Sequence, residues 1–167
     1  MAMIEICKAE ATDAPRMALI AFAAWETGIM PLLSDGPSQR ERERQRLSLA
    51  AGNVWPNSVV ARLNGIVVGW CCRASRRNYI PFLFVMPDVQ SHGIGAALLD
   101  RMEAMLELEG ISRVRLETPA DNVRAVRFYE KQGYHILSIP ADARNAHDAF
   151  MSVHLEKQLH PYSGRVE

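Results

Sequence analysis

The chain has few cysteines and no excess of either charge, and each shortage excludes a class of protein. Its three cysteines, Cys7, Cys71 and Cys72, are an odd number, and the adjacent pair would face opposite sides of a strand. They therefore give no disulfide framework, and we expect three reduced thiols that behave as small apolar residues. Nineteen basic and nineteen acidic residues balance to a formal net charge of zero. No overall field therefore draws the chain to nucleic acid or to an anionic membrane.

Long apolar runs are also lacking. No stretch approaches the roughly 18 apolar residues that a membrane-spanning helix needs, and the N-terminus has no signal-peptide pattern, so we expect a cytoplasmic protein. The run from Arg40 to Arg46 alternates in charge and is interpreted as the solvated face of a helix. The 167 residues suit one compact domain, expected over 1–160, with a mobile tail over 161–167.

Hydrophobic periodicity predicts an α/β (α+β) domain. Helical spacing is found over 15–25, from residue 40 onward, over 94–110 and over 122–132. Strand-like runs are found at 4–8, 58–63, 66–74, 80–85, 114–118, 134–138 and 149–155, and Asn64-Gly65 joins two of them as a hairpin turn. Antiparallel strands come first, and a parallel, right-handed strand–helix–strand crossover follows. We expect six to seven strands in a mixed, mostly antiparallel sheet with about four helices, and the run 149–155 as an exposed sheet edge.

The stretch 86–95 joins a strand to a helix and carries Gly93 and Gly95 at the helix entrance. Glycine lets the backbone turn tightly and leaves main-chain N–H groups open to a ligand. The helix start adds unpaired donors and the positive end of a dipole, so a pyrophosphate is the expected occupant. The third glycine of a dinucleotide fingerprint and the Gly-Lys-Ser/Thr of a triphosphate loop are absent, and a plain glycine loop is the alternative.

A second motif follows over residues 116–134, where a strand leads through Asn122 to a helix that carries Tyr129. Seven residues separate these two side chains, so both project from one face of the helix. Together with Gln90-x-x-Gly93-x-Gly95, this run resembles the GCN5-related N-acetyltransferase (GNAT) superfamily. The likeness extends over roughly 4–157, and its specific motifs lie in 85–134. It implies that the strands at 80–85 and 114–118 splay apart and that the pantetheine arm of acetyl-CoA lies between them.

The resemblance also implies the residues that contact acetyl-CoA. Backbone groups of Val85 and Met86 would pair with the pantetheine amides, and the loop 90–96 would hold the pyrophosphate mainly through its main chain. Asn122 would bind the pantetheine or cap its helix, while His92 has a solvated-surface alternative and Phe128 a core-packing alternative. The implied contacts are Phe84, Val85, Met86, Gln90, Ser91, His92, Gly93, Ile94, Gly95, Ala96, Asn122, Ala125, Phe128, Tyr129 and Lys131. Arg124, Arg127 and Lys131 would lie near the adenine end.

The same likeness suggests a general acid, Tyr129, which would donate its phenolic proton to the coenzyme A sulfur. Many relatives place a glutamate in the strand before the phosphate loop, but residues 79–85 contain no carboxylate. Glu117, five residues before Asn122, is the base we prefer, and a structural pair with Arg113 or Arg115 is the alternative. Further candidates without a recognisable spacing are His135, His147, Asp148 and His154.

On the acceptor side, the expected substrate-binding residues are Trp25, Glu26 and Tyr79, each with a packing role as the alternative. No metal is expected, because the histidines and acidic residues lack the spacing of a zinc motif. The expected activity is transfer of an acetyl group from acetyl-CoA to a primary amine of a small molecule or peptide, directly and in a ternary complex. A homodimer is compatible with the resemblance. A non-catalytic acyl-CoA sensor is the alternative, because the usual strand glutamate is missing.

Overall fold

The fold is a seven-stranded α/β arrangement with four α-helices, within residues 2–75, 78–138 and 151–161, which the computed structural model describes. This confirms the predicted fold class. The elements in chain order are β1 (Ile4–Lys8), α1 (Ala14–Gly28), α2 (Arg40–Val54), β2 (Ser58–Leu63), β3 (Ile66–Cys72), β4 (Phe82–Val85), α3 (Ile94–Leu108), β5 (Arg113–Pro119), α4 (Val123–Lys131), β6 (His135–Ser138) and β7 (Ser152–Gln158).

The strands form two sheets that separate between β4 and β5. One sheet has the order β1-β2-β3-β4 and the other the order β5-β7-β6, and neighbours within each are antiparallel. A parallel bridge between Tyr79 and Arg115 joins them, and the Ile80 N–H donates to the Arg115 carbonyl at 2.9 Å. Beyond this bridge β4 and β5 share no ladder within the described residues. The expected splay of these two strands is therefore confirmed.

The prediction that the last strand is a sheet edge is wrong. β7 lies between β5 and β6, and Leu155 is opposite both Leu116 and Ile136. Alternation of apolar residues identifies the faces of a strand but not its neighbours, which are chosen by non-local pairing. The strand also continues to Gln158, while residues 149–150 of the predicted run lie outside the described residues.

Local backbone chemistry explains two strand boundaries. Asn64 and Gly65 have φ values of 50° and 84°, so the predicted two-residue hairpin between β2 and β3 is confirmed. β4 begins at Phe82 rather than at residue 80. The Ile80 N–H already bonds to the second sheet, and Pro81 has no N–H to donate to a ladder. The proline therefore lies where the chain leaves one sheet for the other.

Two apolar clusters cover opposite faces of the strands. On one face, α3 contributes Leu98, Leu99 and Met102 to a cluster that includes Val114 and Leu116 of β5. On the other face, α1 and α2 contribute a cluster around Trp70, whose indole N–H donates to the Met17 carbonyl at 2.9 Å. Because successive side chains of a strand point to opposite faces, alternate residues contribute to the two different clusters.

A buried carboxylate connects α3 to the second sheet. Glu103 is 6% exposed and accepts hydrogen bonds from the Tyr134 hydroxyl and the Lys157 ammonium, both at 2.8 Å. Burial, and after it Glu103, raises the pKa of Tyr134 above its ordinary value. The phenol therefore stays protonated and continues to donate.

Some expectations concern residues that are not described. His147, Asp148 and the proposed tail apart from Pro161 lie outside the described residues. Within the described part of the chain, no helix combines the length and apolar character needed to cross a membrane.

We predict that Tyr134→Phe lowers the free energy of unfolding by about 2 kcal/mol at neutral pH, since it removes a hydrogen bond to a buried charge. The unfolded chain releases a tyrosine proton above pH of about 10, whereas the folded protein retains it, so wild-type stability falls there. The difference between the two proteins should therefore shrink above that pH. Urea unfolding at several pH values measures it, and a difference that stays constant would contradict the assignment.

Candidate active site

The loop between β4 and α3 owes its shape to two glycines. Gly93 caps α3 with a φ of 80°, in the left-handed region, and a Cβ there would meet no atom within 4 Å. A Cβ on Gly95 would lie 3.3 Å from Cζ of Phe128 in α4. Gly93 is thus needed for the backbone conformation and Gly95 for close approach of two helices. Ser91 also has a positive φ, of 65°.

Four consecutive amides at the start of α3 are open. Within the described residues, the N–H groups from Gly93 to Ala96 have no hydrogen-bond acceptor, and the first bond of the helix runs from the Ala97 N–H to the Gly93 carbonyl at 3.0 Å. Such donors at the positive end of a helix dipole attract an anion. The open space around Gly93 leaves room for it. The arrangement fits a diphosphate.

The polar side chains of this loop bind the loop itself. The Gln90 amide donates to the Val85 carbonyl at 2.9 Å, and Nδ1 of His92 lies 2.8 Å from the Gln90 carbonyl. Arg124 of α4 donates to the Ser91 hydroxyl at 2.9 Å, so its guanidinium lies at the loop rather than only near an adenine end. The predicted main-chain character of the anion site is consistent with this pattern.

The two open strand edges face each other across the gap between the sheets. The Met86 N–H donates to the Val68 carbonyl at 2.8 Å, so it is not free for a ligand, which corrects the expectation for Met86. Antiparallel alternation then turns the Val85 N–H toward the gap. On β5 the Arg115 N–H donates to the Asn78 carbonyl at 2.8 Å. Because backbone groups point alternately to the two sides of a strand, the N–H and C=O of Glu117 face the same gap. An extended chain with amide groups can pair with these edges.

Tyr129 lies on α4, the helix that follows β5. Asn122 accepts a hydrogen bond from the Ala125 N–H at 3.2 Å and so caps α4. The partly buried ring of Tyr129 packs edge-on against Phe128 and Tyr134, with centroids 5.1 and 5.7 Å apart. Its hydroxyl has no hydrogen-bond partner within the described residues, and the hydroxyl oxygen is not completely buried. We infer that the hydroxyl faces open space.

The ionisation of Tyr129 suits a proton donor. Burial raises the pKa of its phenol above the ordinary value, and the nearby Cys71 and Tyr79 raise it further. A phenol with a raised pKa retains its proton at neutral pH. The hydroxyl is therefore in the protonated form that a general acid needs.

Glu117 lies on the other face of the split sheet. Its neighbours in β5, Leu116 and Thr118, are buried, whereas the Glu117 side chain is 31% exposed. Its Oε2 is 3.3 Å from Nε2 of His154 in β7. The alternative of a pair between Glu117 and Arg115 is not observed, because Arg115 binds Glu156 at 2.7 Å.

Tyr79 lies on the same face of the sheets as Glu117 and His154, beside the bridge between the two sheets. Burial raises the pKa of its phenol, and the charge of Glu117 and a hydrogen bond to it raise that pKa further. Because Tyr79 also influences Tyr129, the phenols and the carboxylate form one neighbourhood around the gap. Sequence reasoning placed Tyr79 on the acceptor side but had no signal for its contact with Glu117.

The other two predicted acceptor residues have partners elsewhere. Trp25 is 4% exposed and stacks on Phe22 with centroids 5.9 Å apart, so its role is packing. Glu26, which was expected to bind the substrate, forms an ion pair with Arg40 of α2. Of the three predicted residues, Tyr79 lies beside the gap.

The remaining predicted contacts divide between core and surface. Ile94 is buried, Ala96 and Ala125 are partly buried at helix starts, and Lys131 is exposed in the last turn of α4. Phe84 packs against Trp70 on the α1 face of β4, with centroids 5.4 Å apart. Phe128 packs against the α3 cluster, as its structural alternative proposed.

The cysteines and acidic residues offer no further chemistry in the described residues. Cys7, Cys71 and Cys72 are free thiols, as predicted, and burial raises the pKa of Cys72 to about 12. No group of three or more histidine, cysteine, aspartate or glutamate side chains is arranged to hold a metal ion in this part of the chain.

Known proteins with similar sequences point to one family. A sequence model of the acetyltransferase (GNAT) family matches residues 19–134. An acetyltransferase of Pectobacterium atrosepticum is 33% identical over 78 residues, which are 46% of this chain and 55% of that protein. The uncharacterised protein YxbD of Bacillus subtilis is 38% identical over 48 residues, 29% of this chain and 30% of that protein. These matches span between 30% and 55% of the length of the curated relatives.

Solved structures agree on the fold. The PaiA N-acetyltransferase of Thermoplasma acidophilum, crystallised with coenzyme A, superposes with a TM-score of 0.73 at 19% identity, over 93% of this chain and 99% of that one. The ribosomal-protein-S18-alanine N-acetyltransferase of Escherichia coli gives a TM-score of 0.70 at 20% identity, over 99% of both chains. Because the family model matches residues 19–134, more than half of the chain, the chain belongs to the acetyltransferase (GNAT) family.

Proposed function

We propose that the protein is an N-acetyltransferase that moves the acetyl group of acetyl-CoA directly to a primary amine of a small molecule or peptide. The observation that carries this proposal is the gap between β4 and β5, with four open amides at the start of the helix that follows β4. The family match supports the acyl chemistry, and coenzyme A is bound in the crystal of the similar PaiA enzyme.

The chain has suitable groups for each part of the donor. The amides from Gly93 to Ala96 would bind the diphosphate, with the dipole of α3 behind them. The pantetheine arm would pair with the Val85 N–H and with the Glu117 backbone, as an added strand does at an open sheet edge. This placement brings the thioester toward Tyr129.

Proton transfer accompanies the exchange of bonds. The acceptor ammonium loses a proton to Glu117, and its nitrogen then attacks the thioester carbonyl, so that a C–N bond forms and the C–S bond breaks. Tyr129 donates its proton to the departing sulfur. The second proton of the acceptor nitrogen restores the Tyr129 phenol, and the proton on Glu117 leaves to water.

The two proton-transfer groups approach from opposite faces, which suits a ternary complex. Tyr129 belongs to the face covered by α3 and α4, whereas Glu117 lies on the face shared with Phe84 and Trp70. The donor would lie in the gap and the acceptor on the Glu117 face. Transfer then needs no covalent enzyme intermediate.

We predict that Tyr129→Phe lowers kcat by about 10²- to 10⁴-fold, the usual contribution of a general acid, with little change in the KM for acetyl-CoA. Thiol release from acetyl-CoA measures both constants, with amines, amino acids, aminoglycosides and N-terminal peptides as acceptors. Tyr134→Phe is the matched control, because its hydroxyl binds Glu103 rather than facing the gap.

Unchanged turnover in Tyr129→Phe would remove this residue from the mechanism. Silence of the wild-type protein toward every acceptor, with coenzyme A still bound, would instead favour the non-catalytic acyl-CoA sensor. Either outcome is decided by the same assay together with a binding measurement.

We predict that Gly93→Glu weakens coenzyme A binding by more than about tenfold, since a carboxylate beside the open amides competes with the diphosphate and hydrogen bonds to charged groups contribute roughly 1.5–3 kcal/mol. Gly110→Glu is the matched control. Gly110 has a φ of 79° and equally open surroundings, but it follows the opposite end of α3. Isothermal titration with coenzyme A compares the two variants, and equal affinities would refute the diphosphate site.

A further inference from the structure

His154 lies directly across the β5–β7 ladder from Glu117. The two residues are register partners, and Nε2 of His154 is 3.3 Å from Oε2 of Glu117. Directly opposed side chains on one face of an antiparallel pair are close enough to interact without backbone movement. The sequence offered no spacing that links residues 117 and 154, because the pairing is set by the sheet.

Two side chains of the described residues approach the Glu117 carboxylate, and the neighbouring charges are paired with each other. On the same face, the next pair along the ladder is Arg115 with Glu156, and these two charges bind each other at 2.7 Å. From the chain before β4, Tyr79 approaches the Glu117 carboxylate. β6 contributes His135 opposite Glu156 rather than opposite His154. Glu117 therefore has a partner on each side, His154 and Tyr79.

Because the Glu117 side chain is partly exposed, it needs partners to hold its carboxylate in one position. The Glu117 side chain is 31% exposed, and a glutamate with that much freedom has several rotamers open to it. A base must stay within hydrogen-bond distance of the proton that it removes. An unrestrained carboxylate would spend much of its time turned toward water.

We propose that His154 is a positioning residue that holds the Glu117 carboxylate toward the acceptor side of the gap. Its Nε2 lies 3.3 Å from Oε2, and a proton on that nitrogen would attract the carboxylate and limit the rotamers open to it. The inference rests on the proposed function, because it assumes Glu117 as the base. His154 itself touches no reacting atom.

The test compares His154→Leu with His154→Gln. Leucine removes the donor, whereas the side-chain amide of glutamine can place an N–H near the original Nε2. We expect His154→Leu to lower kcat by about tenfold with the KM for acetyl-CoA unchanged, as pre-organisation effects do. His154→Gln should recover to within about threefold of wild type, and His160→Leu, which changes an exposed histidine beyond the end of β7, should match wild type.

A double-mutant cycle shows whether the effect passes through Glu117. In a Glu117→Gln background, His154→Leu should cause no further loss, because the group that it positions is already gone. Additive losses would overturn the proposal. Equal kcat in His154→Leu and His160→Leu, or equal losses in the leucine and glutamine variants, would overturn it as well.

If the proposed function itself is wrong, the same experiments give results that differ from those that would overturn the role of His154 alone. A wild-type protein that transfers acetyl to none of the acceptors would remove the proposed function and this inference together. Full activity in Glu117→Gln would leave acetyl transfer in place but remove Glu117 as base, and with it the role of His154. Thermal unfolding of each variant identifies any loss of folded protein.

Discussion

The gap between β4 and β5 is the constraint on which the rest of the structure depends. A regular sheet would pair these strands along their length, yet they meet at the bridge between Tyr79 and Arg115 and then diverge. Open strand edges leave backbone groups without partners, which is costly unless water or a ligand satisfies them. The Val85 N–H and the backbone of Glu117 are such groups, so the gap is prepared for an extended, amide-bearing ligand.

The helices hold the two sheets apart and supply the chemistry. α3 begins after the loop that follows β4 and is connected to the second sheet through hydrogen bonds of Glu103 with Tyr134 and Lys157. α4 packs Phe128 against Gly95 and brings Tyr129 to the gap. One core therefore fixes both the anion-binding amides and the phenol. The second core, around Trp70, supports the opposite face, where Glu117 lies.

Much of this could be predicted because the signals are local. Asn64-Gly65 has the chemistry of a tight hairpin, and Gly93 and Gly95 mark a turn into a helix whatever the rest of the chain does. Tyr129 and Asn122 share a helix face by spacing alone. The family resemblance supplied the splay, which no periodicity in the sequence encodes. These features follow from short stretches of chain.

Other features could not be predicted, because they depend on non-local contacts. The central position of β7 and the pairing of His154 with Glu117 arise from strand register between distant segments. The Met86 N–H donates to the Val68 carbonyl, and Glu26 forms an ion pair with Arg40. Each of these partners lies on another element. Trp25 was expected on the acceptor side that the family resemblance implies, yet helix packing buries it. In each case the partner in the fold could not be inferred from the residue type.

The central claim is that the gap and the start of α3 form the donor site, and amide hydrogen exchange measured by NMR with and without coenzyme A tests it most directly. The account predicts slower exchange on addition of coenzyme A at Val85 and from Gly93 to Ala96. Met86, which already bonds to Val68, should change little. Protection that appears elsewhere while these amides exchange as before would contradict the account.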